Sequence, residues 1–222
     1  MTDRLSLDQP ISLSGEELHP HAARQLRAVL GNRVMPAGQS AGDALPIRLQ
    51  LDPSRPEGAF HLSIAGDGIT VTGGPFSGVI YGANELAGLI NQAEQSVALA
   101  EIDDVPGLPY RTFWNWDHST NWNMSQIGVQ EIGVMNPYAK PPEGFLADFK
   151  RTVDYMSKHR IAAITIFGFL RTSHGGIAAA QELCRYATER GVRILPGIAI
   201  NAYGGVVWEL DHEYNLATWL RK

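Results

Sequence analysis

The sequence predicts an α/β protein: a small α+β unit over residues 1–105, then a parallel-sheet domain over residues 106–222. Three observations predict it. The first hundred residues mix alternating strand patterns with two helical stripes. A break rich in proline and glycine follows at "EIDDVPGLPYR". Beyond it, apolar runs alternate with amphipathic helices in the order strand, helix, strand, helix, strand, as repeated βα units require.

The elements follow in order. Pro20 suits the first turn of a helix whose apolar stripe is Ala22, Leu26, Val29 and Leu30, with Gly31 as its stop. Ser14 and Glu17 mimic a capping box, but the proline places the start later. "IRLQL" and "AFHLSI" alternate as strands and are expected to pair as a hairpin across the long connection "DPSRPEG". "ITVTGG" is a third short strand after the turn "AGDG". From Pro75, a helix is expected with Phe76, Val79, Ile80, Ala83, Ala87 and Ile90 on one face.

After the break, "YRTFWNW" is an aromatic strand and "STNWNMSQIGVQEIGVMNPYAKPPEG" a long irregular segment. "FLADFKRTVDYMSKHR" places Phe145, Phe149, Val153 and Met156 on one helical face. "IAAITIF" is a nearly continuous apolar run, expected of a strand covered on both faces. A second helix, "GIAAAQELCRYATER", aligns Ile177, Ala180, Cys184 and Ala187, and Gly191 stops it. In "VRILPGIAI", Pro196 marks the strand's end.

Composition excludes several classes. The 222 residues carry a net charge of −5 without a Lys/Arg cluster, so no nucleic-acid surface is expected. No run approaches the ~20 apolar residues of a membrane span. The amino-terminal "MTDRLSLDQP" lacks the apolar stretch of a secretory signal, so a cytoplasmic location is expected. The single cysteine, Cys184, excludes an internal disulfide and sits on an apolar helical stripe as inert core.

In parallel α/β folds, doubly wound or barrel, ligands bind at the carboxyl ends of the strands. Periodicity does not choose between the two architectures, but no glycine-rich phosphate turn follows any strand as a dinucleotide fold needs. Three of the five tryptophans fall in "RTFWNWDHSTNW". The first strand end offers Trp114, Asn115, Trp116, Asp117 and His118. The second offers Phe167, Gly168 and Phe169, then Arg171 and His174. The third offers Asn201 and Tyr203, with Trp208, Glu209 and His212 behind. Flat rings beside carboxylate, imidazole and guanidinium suit a sugar, whose C–H faces stack on indole while its hydroxyls take directional hydrogen bonds.

The expected substrate-binding set is therefore Trp114, Trp116, Asp117, His118, Arg171, His174, Trp208 and Glu209. Blander roles stand beside this one. The tryptophans also suit a core, and Arg171 also suits a solvated loop. Asp117 and His118, adjacent in a strand, point to opposite faces, which weakens them as a pair. Arg171 would fit a sugar carboxylate bidentately, and an anion would fit the helix start after "RTSHGG". His19 and His21 in "HPH" lack a third metal ligand and suit a surface turn. Glu209 has no identified partner carboxyl. No catalytic residue, metal or cofactor is expected from these residues, and the oligomeric state stays open.

At "GGPFSGVIYGANELAGLI" and "EIDDVPGLPYRTFWNWDHS", the chain resembles the front half of certain glycoside hydrolases. Bacterial α-glucuronidases are the nearest such family, and β-N-acetylhexosaminidases are similar in layout. The α-glucuronidase segment is an Arg-led first barrel strand ending in Trp-Asp-Asn. Trp116 and Asp117 match it, while His118 replaces the asparagine. The resemblance implies an α/β fold in which a small α+β N-terminal domain precedes the first βα units of a (β/α)8, or TIM, barrel. It implies hydrolysis of O-glycosidic bonds in a carbohydrate, with Trp116 and Asp117 at the mouth of the sugar pocket. In such families the catalytic carboxylates come from later strands. A full barrel takes ~250 residues, so the natural chain is expected to continue and the 222 residues by themselves to be inactive. Two other functions remain open: a non-catalytic carbohydrate-binding or assembly module, and a parallel-sheet enzyme using a metal at His118, His174 or His212.

Overall fold

The computed structural model describes residues 3–36, 39, 42–108, 110–115, 144–167, 169–170 and 174–197. The chain divides into two compact units: Met1–Pro109 with Glu189–Gly191, and Tyr110–Thr188 with Val192–Lys222.

The first unit contains β1 (Arg4–Ser6), β2 (Ile11–Ser14), α1 (Pro20–Leu30), β3 (Leu45–Leu51), β4 (Phe60–Ala65), β5 (Gly68–Gly73), α2 (Gly78–Leu89), β6 (Ser96–Ala98) and β7 (Ala100–Asp104). Helix α1 starts and stops where Pro20 and Gly31 predict. Its stripe of Ala22, Ala23, Leu26 and Leu30 is buried. Arg27, on the same helix, donates to the Glu16 carboxylate at 2.7 and 3.2 Å and to the Met35 carbonyl at 3.1 Å. It thereby fastens both flanking loops to the helix.

Five strands form one sheet in the order β2-β3-β5-β4-β7. The expected β3–β4 hairpin is therefore not formed, because β5 lies between those strands. It runs parallel to β3 and antiparallel to β4. The tight hairpin is β4–β5, where Ala65 pairs with Gly68 across the two-residue turn Gly66–Asp67. The β3–β4 connection is long because it must pass over the end of β5. It closes there, with Asp52 N–H donating to the Gly73 carbonyl at 2.8 Å and Gly74 N–H to the Ala59 carbonyl at 2.7 Å. A Cβ on Gly74 would lie 2.1 Å from the Pro56 carbonyl oxygen, so only glycine fits.

Alternation gives this sheet one apolar face. Ile47, Leu49, Phe60, Leu62, Ile64, Ile69 and Val71 form a single cluster with α1 and α2. Each such fully buried side chain contributes about 1.5–3 kcal/mol. The other face carries Gln50, His61, Ser63, Thr70 and Thr72 beside Glu101 and Asp103 of β7. His61 sits 3.0 Å from Glu101 and 3.4 Å from Asp103. The Arg55 guanidinium, hydrogen-bonded to Asp103 at 2.7 Å, holds that carboxyl below the usual carboxylate range.

Helix α2 begins later than Pro75 suggests. Phe76 adopts a left-handed backbone (φ 66°), which costs a bulky residue about 1–2 kcal/mol, and the helix starts at Gly78. Val79, Ile80, Tyr81, Ala83 and Leu86 are buried, whereas Phe76 is only half-buried.

The second unit contains β8 (Thr112–Asn115), α3 (Phe145–Lys158), β9 (Ala163–Phe167), α4 (Gly176–Thr188) and β10 (Arg193–Gly197). The strands form a parallel sheet in the order β10-β9-β8. Phe145, Phe149, Val153 and Met156 of α3 are all buried, as their spacing predicts. The stripe of α4 departs from the expected one. Leu183 is fully buried, Cys184 is only half-buried, and Ile177 in the first turn is 49% exposed. The helix has turned its largest mid-helix apolar group, leucine, toward the sheet in place of the smaller thiol. Burial pushes the Cys184 thiol pKa up. Pro196 is the penultimate residue of β10, opposite Ile166 and one position from the end it is expected to mark. Among the described residues β10 is an edge strand, where a missing N–H is tolerated.

Arg111 closes the amino ends of these strands. Its carbonyl accepts from Ala162 and Ala163 N–H, and its Nε donates to the Arg160 carbonyl at 2.8 Å. Between the helices, Tyr186 bonds the Asp154 carboxylate and Lys150 bonds Glu182, whose carboxyl is held below its ordinary range by that ammonium. No helix among the described residues is long and apolar enough to cross a membrane.

Two outcomes test this packing. Gly74→Ala forces the strand end and the overlying connection apart, and is expected to lower the unfolding free energy by about 1–3 kcal/mol in urea titrations. Asp103→Asn is expected to lower Tm slightly at pH 7, because the pair is exposed. A depressed folded-state pKa contributes stability above the unfolded value, near 3.8. That contribution disappears as pH falls through the folded value. The Tm gap between wild type and Asp103→Asn should therefore hold from pH 7 to about pH 4 and close below it.

Candidate functional site

The carboxyl ends of β8, β9 and β10 lie side by side, because all three strands run parallel in near-equal register. Thr112, Ala163 and Arg193 form the first cross-strand row. Phe113, Ile164 and Ile194 form the second, Trp114, Thr165 and Leu195 the third, and Asn115, Ile166 and Pro196 the fourth. Ile164, Ile166 and Ile194 belong to the cluster made with α3 and α4. These three isoleucines, in the second and fourth rows, therefore face the helices. Phe113 follows them, its ring stacked on Tyr155 of α3 at 6.4 Å and 14°.

Trp114 must then project from the opposite face, with Thr165 and Leu195. It is 59% exposed and Leu195 39%. A broad indole on a face that the helices leave uncovered is the geometry a stacking platform needs. Asn115 ends the strand one position beyond.

His174 lies elsewhere. It is 4% exposed, and its ring stacks on Phe145 at 4.3 Å and 8°. Phe145 opens α3 and belongs to the helix-side cluster. Gly175 and Gly176 follow His174 with φ 95° and 60°, a left-handed pair that turns the chain into α4. Trp114 and His174 thus stand on opposite sides of the sheet. Phe169, expected near the strand end, is also core, at 5% exposure. Trp116, Asp117, His118, Arg171, Trp208 and Glu209 lie outside the described residues, as do Gly168, Asn201, Tyr203 and His212.

The histidines of "HPH" occupy the start of α1. His19 is the N-cap residue, and burial lowers its pKa against a smaller opposing effect of Glu17. His21 is buried on the helix. Among the described residues, no three His, Cys, Asp or Glu side chains are grouped as a metal site would need. Sequence reading passes over Tyr155, which lies off the buried stripe of α3. Its one signal is the aromatic spacing to His159, whose ring it meets at 4.2 Å.

A small α+β unit followed by parallel βα units is a layout with known counterparts. The structure matches that of a β-N-acetylhexosaminidase from Bacteroides fragilis with a TM-score of 0.65 and 17% identity, over 93% of this chain and 43% of that one. It matches a glycoside hydrolase family 20 exo-β-N-acetylglucosaminidase from Vibrio harveyi with a TM-score of 0.59 and 14% identity, over 90% of this chain and 34% of that one. In sequence, residues 2–105 match the family model described as glycosyl hydrolase family 20, domain 2. A β-hexosaminidase of Vibrio vulnificus is 27% identical over 136 residues, covering 60% of this chain and 16% of that protein. The chain thus spans about a sixth of its curated relative and less than half of these solved structures. These findings support a relation to glycoside hydrolases, and to family 20 in place of the α-glucuronidase type that the first-strand motif suggests.

The contrast between the two described candidates is measurable. His174→Ala removes a buried ring stacked on Phe145 and is expected to cost about 2–4 kcal/mol of stability in chemical denaturation. Trp114→Ala removes an exposed ring and is expected to change stability by no more than about 0.5 kcal/mol.

Proposed function

We propose that the chain serves a glycoside hydrolase of family 20 type, acting on β-linked N-acetylhexosaminides. The first unit would be the accessory domain, and β8 to β10 with α3 and α4 the opening βα units of a (β/α)8 barrel. The observation that carries this reading is the family 20 domain 2 match over residues 2–105, joined to a parallel sheet whose strand order follows chain order. Trp114, exposed on the face turned away from the helices, supports a carbohydrate-facing role for that side of the sheet. Trp116 and Asp117, two and three residues further on, are proposed at the pocket mouth.

The chemistry would be glycosidic hydrolysis through an oxocarbenium-like transition state, with a carboxylic acid protonating the leaving oxygen. Most glycosidases add a second carboxylate as base or nucleophile, whereas family 20 is among the substrate-assisted exceptions. No catalytic carboxylate is assigned in this chain. Its proposed contribution is to hold and orient the sugar, which lowers the barrier by fixing the reacting geometry.

The full gene product is expected to hydrolyse aryl N-acetyl-β-hexosaminides and to leave glucuronoxylan fragments intact. The reverse preference would restore the α-glucuronidase reading. The 222-residue chain assayed by itself should show no turnover. Robust hydrolysis by it would overturn the proposal. Sugar-dependent quenching of tryptophan fluorescence with no hydrolysis, even by the full gene product, would instead identify a non-catalytic carbohydrate-binding module.

A further inference from the structure

We draw no further inference here: the strongest candidate, the exposed aromatic patch at the β8 edge of the three-stranded sheet, where Phe113 stacks on Tyr155 and Trp114 projects from the other face, carries nothing beyond the proposed site because nothing in the structure shows what covers it.

Discussion

The burial of Ile164 and Ile166 beneath α3 and α4 is the constraint on which the second unit rests. With those two side chains at zero exposure, the central strand has only one register that keeps its apolar set under the helices. A slip of one residue would turn Ala163 and Thr165 inward and the isoleucines outward. Because β8 and β10 both pair with β9, that register orients them as well. It decides that Phe113 faces the helices and Trp114 does not. The direction of the one described indole is therefore a consequence of core packing on the neighbouring strand.

The first unit follows the same logic with a different topology. Its sheet is likewise covered by two helices on one side, but its strands are mixed in direction. A long connection must therefore cross the end of β5. Gly74 permits that crossing, since a side chain there would collide with the Pro56 carbonyl, while Gly73 lets the start of α2 lie against the strand end. This junction, "GGPFSGVIYG", is also part of the stretch in which the resemblance to glycoside hydrolases lies. Its glycines meet a steric need in this fold and say nothing by themselves about the reaction. What links the unit to carbohydrate chemistry is the family match, and the chemistry itself stays with the proposal.

Much of the fold is legible in the sequence wherever one residue's environment is set by its own helix. The four-residue stripe of α3 is buried as its spacing predicts, and α1 starts and ends at its proline and glycine. Legibility fails where partners are remote. Alternation shows that β3 and β4 are strands, but it does not reveal that β5 inserts between them. Pro75 signals a helix start without showing that Phe76 first swings through a left-handed turn. The candidate site is less legible still. Phe113 and Trp114 are both large rings in one strand, and only the packing of Ile164 separates their roles. His174 reads as a loop residue, and the ring that buries it lies twenty-nine positions earlier in the chain.

The charges along β7 have a consequence for life in a crowded solution. This strand is an outer margin of the five-stranded sheet among the described residues, and its backbone would otherwise invite a stray extended segment from another molecule. Glu101, Asp103 and Asp104 set three carboxylates within four positions of that margin, so an approaching identical strand meets like charge before it meets a hydrogen bond.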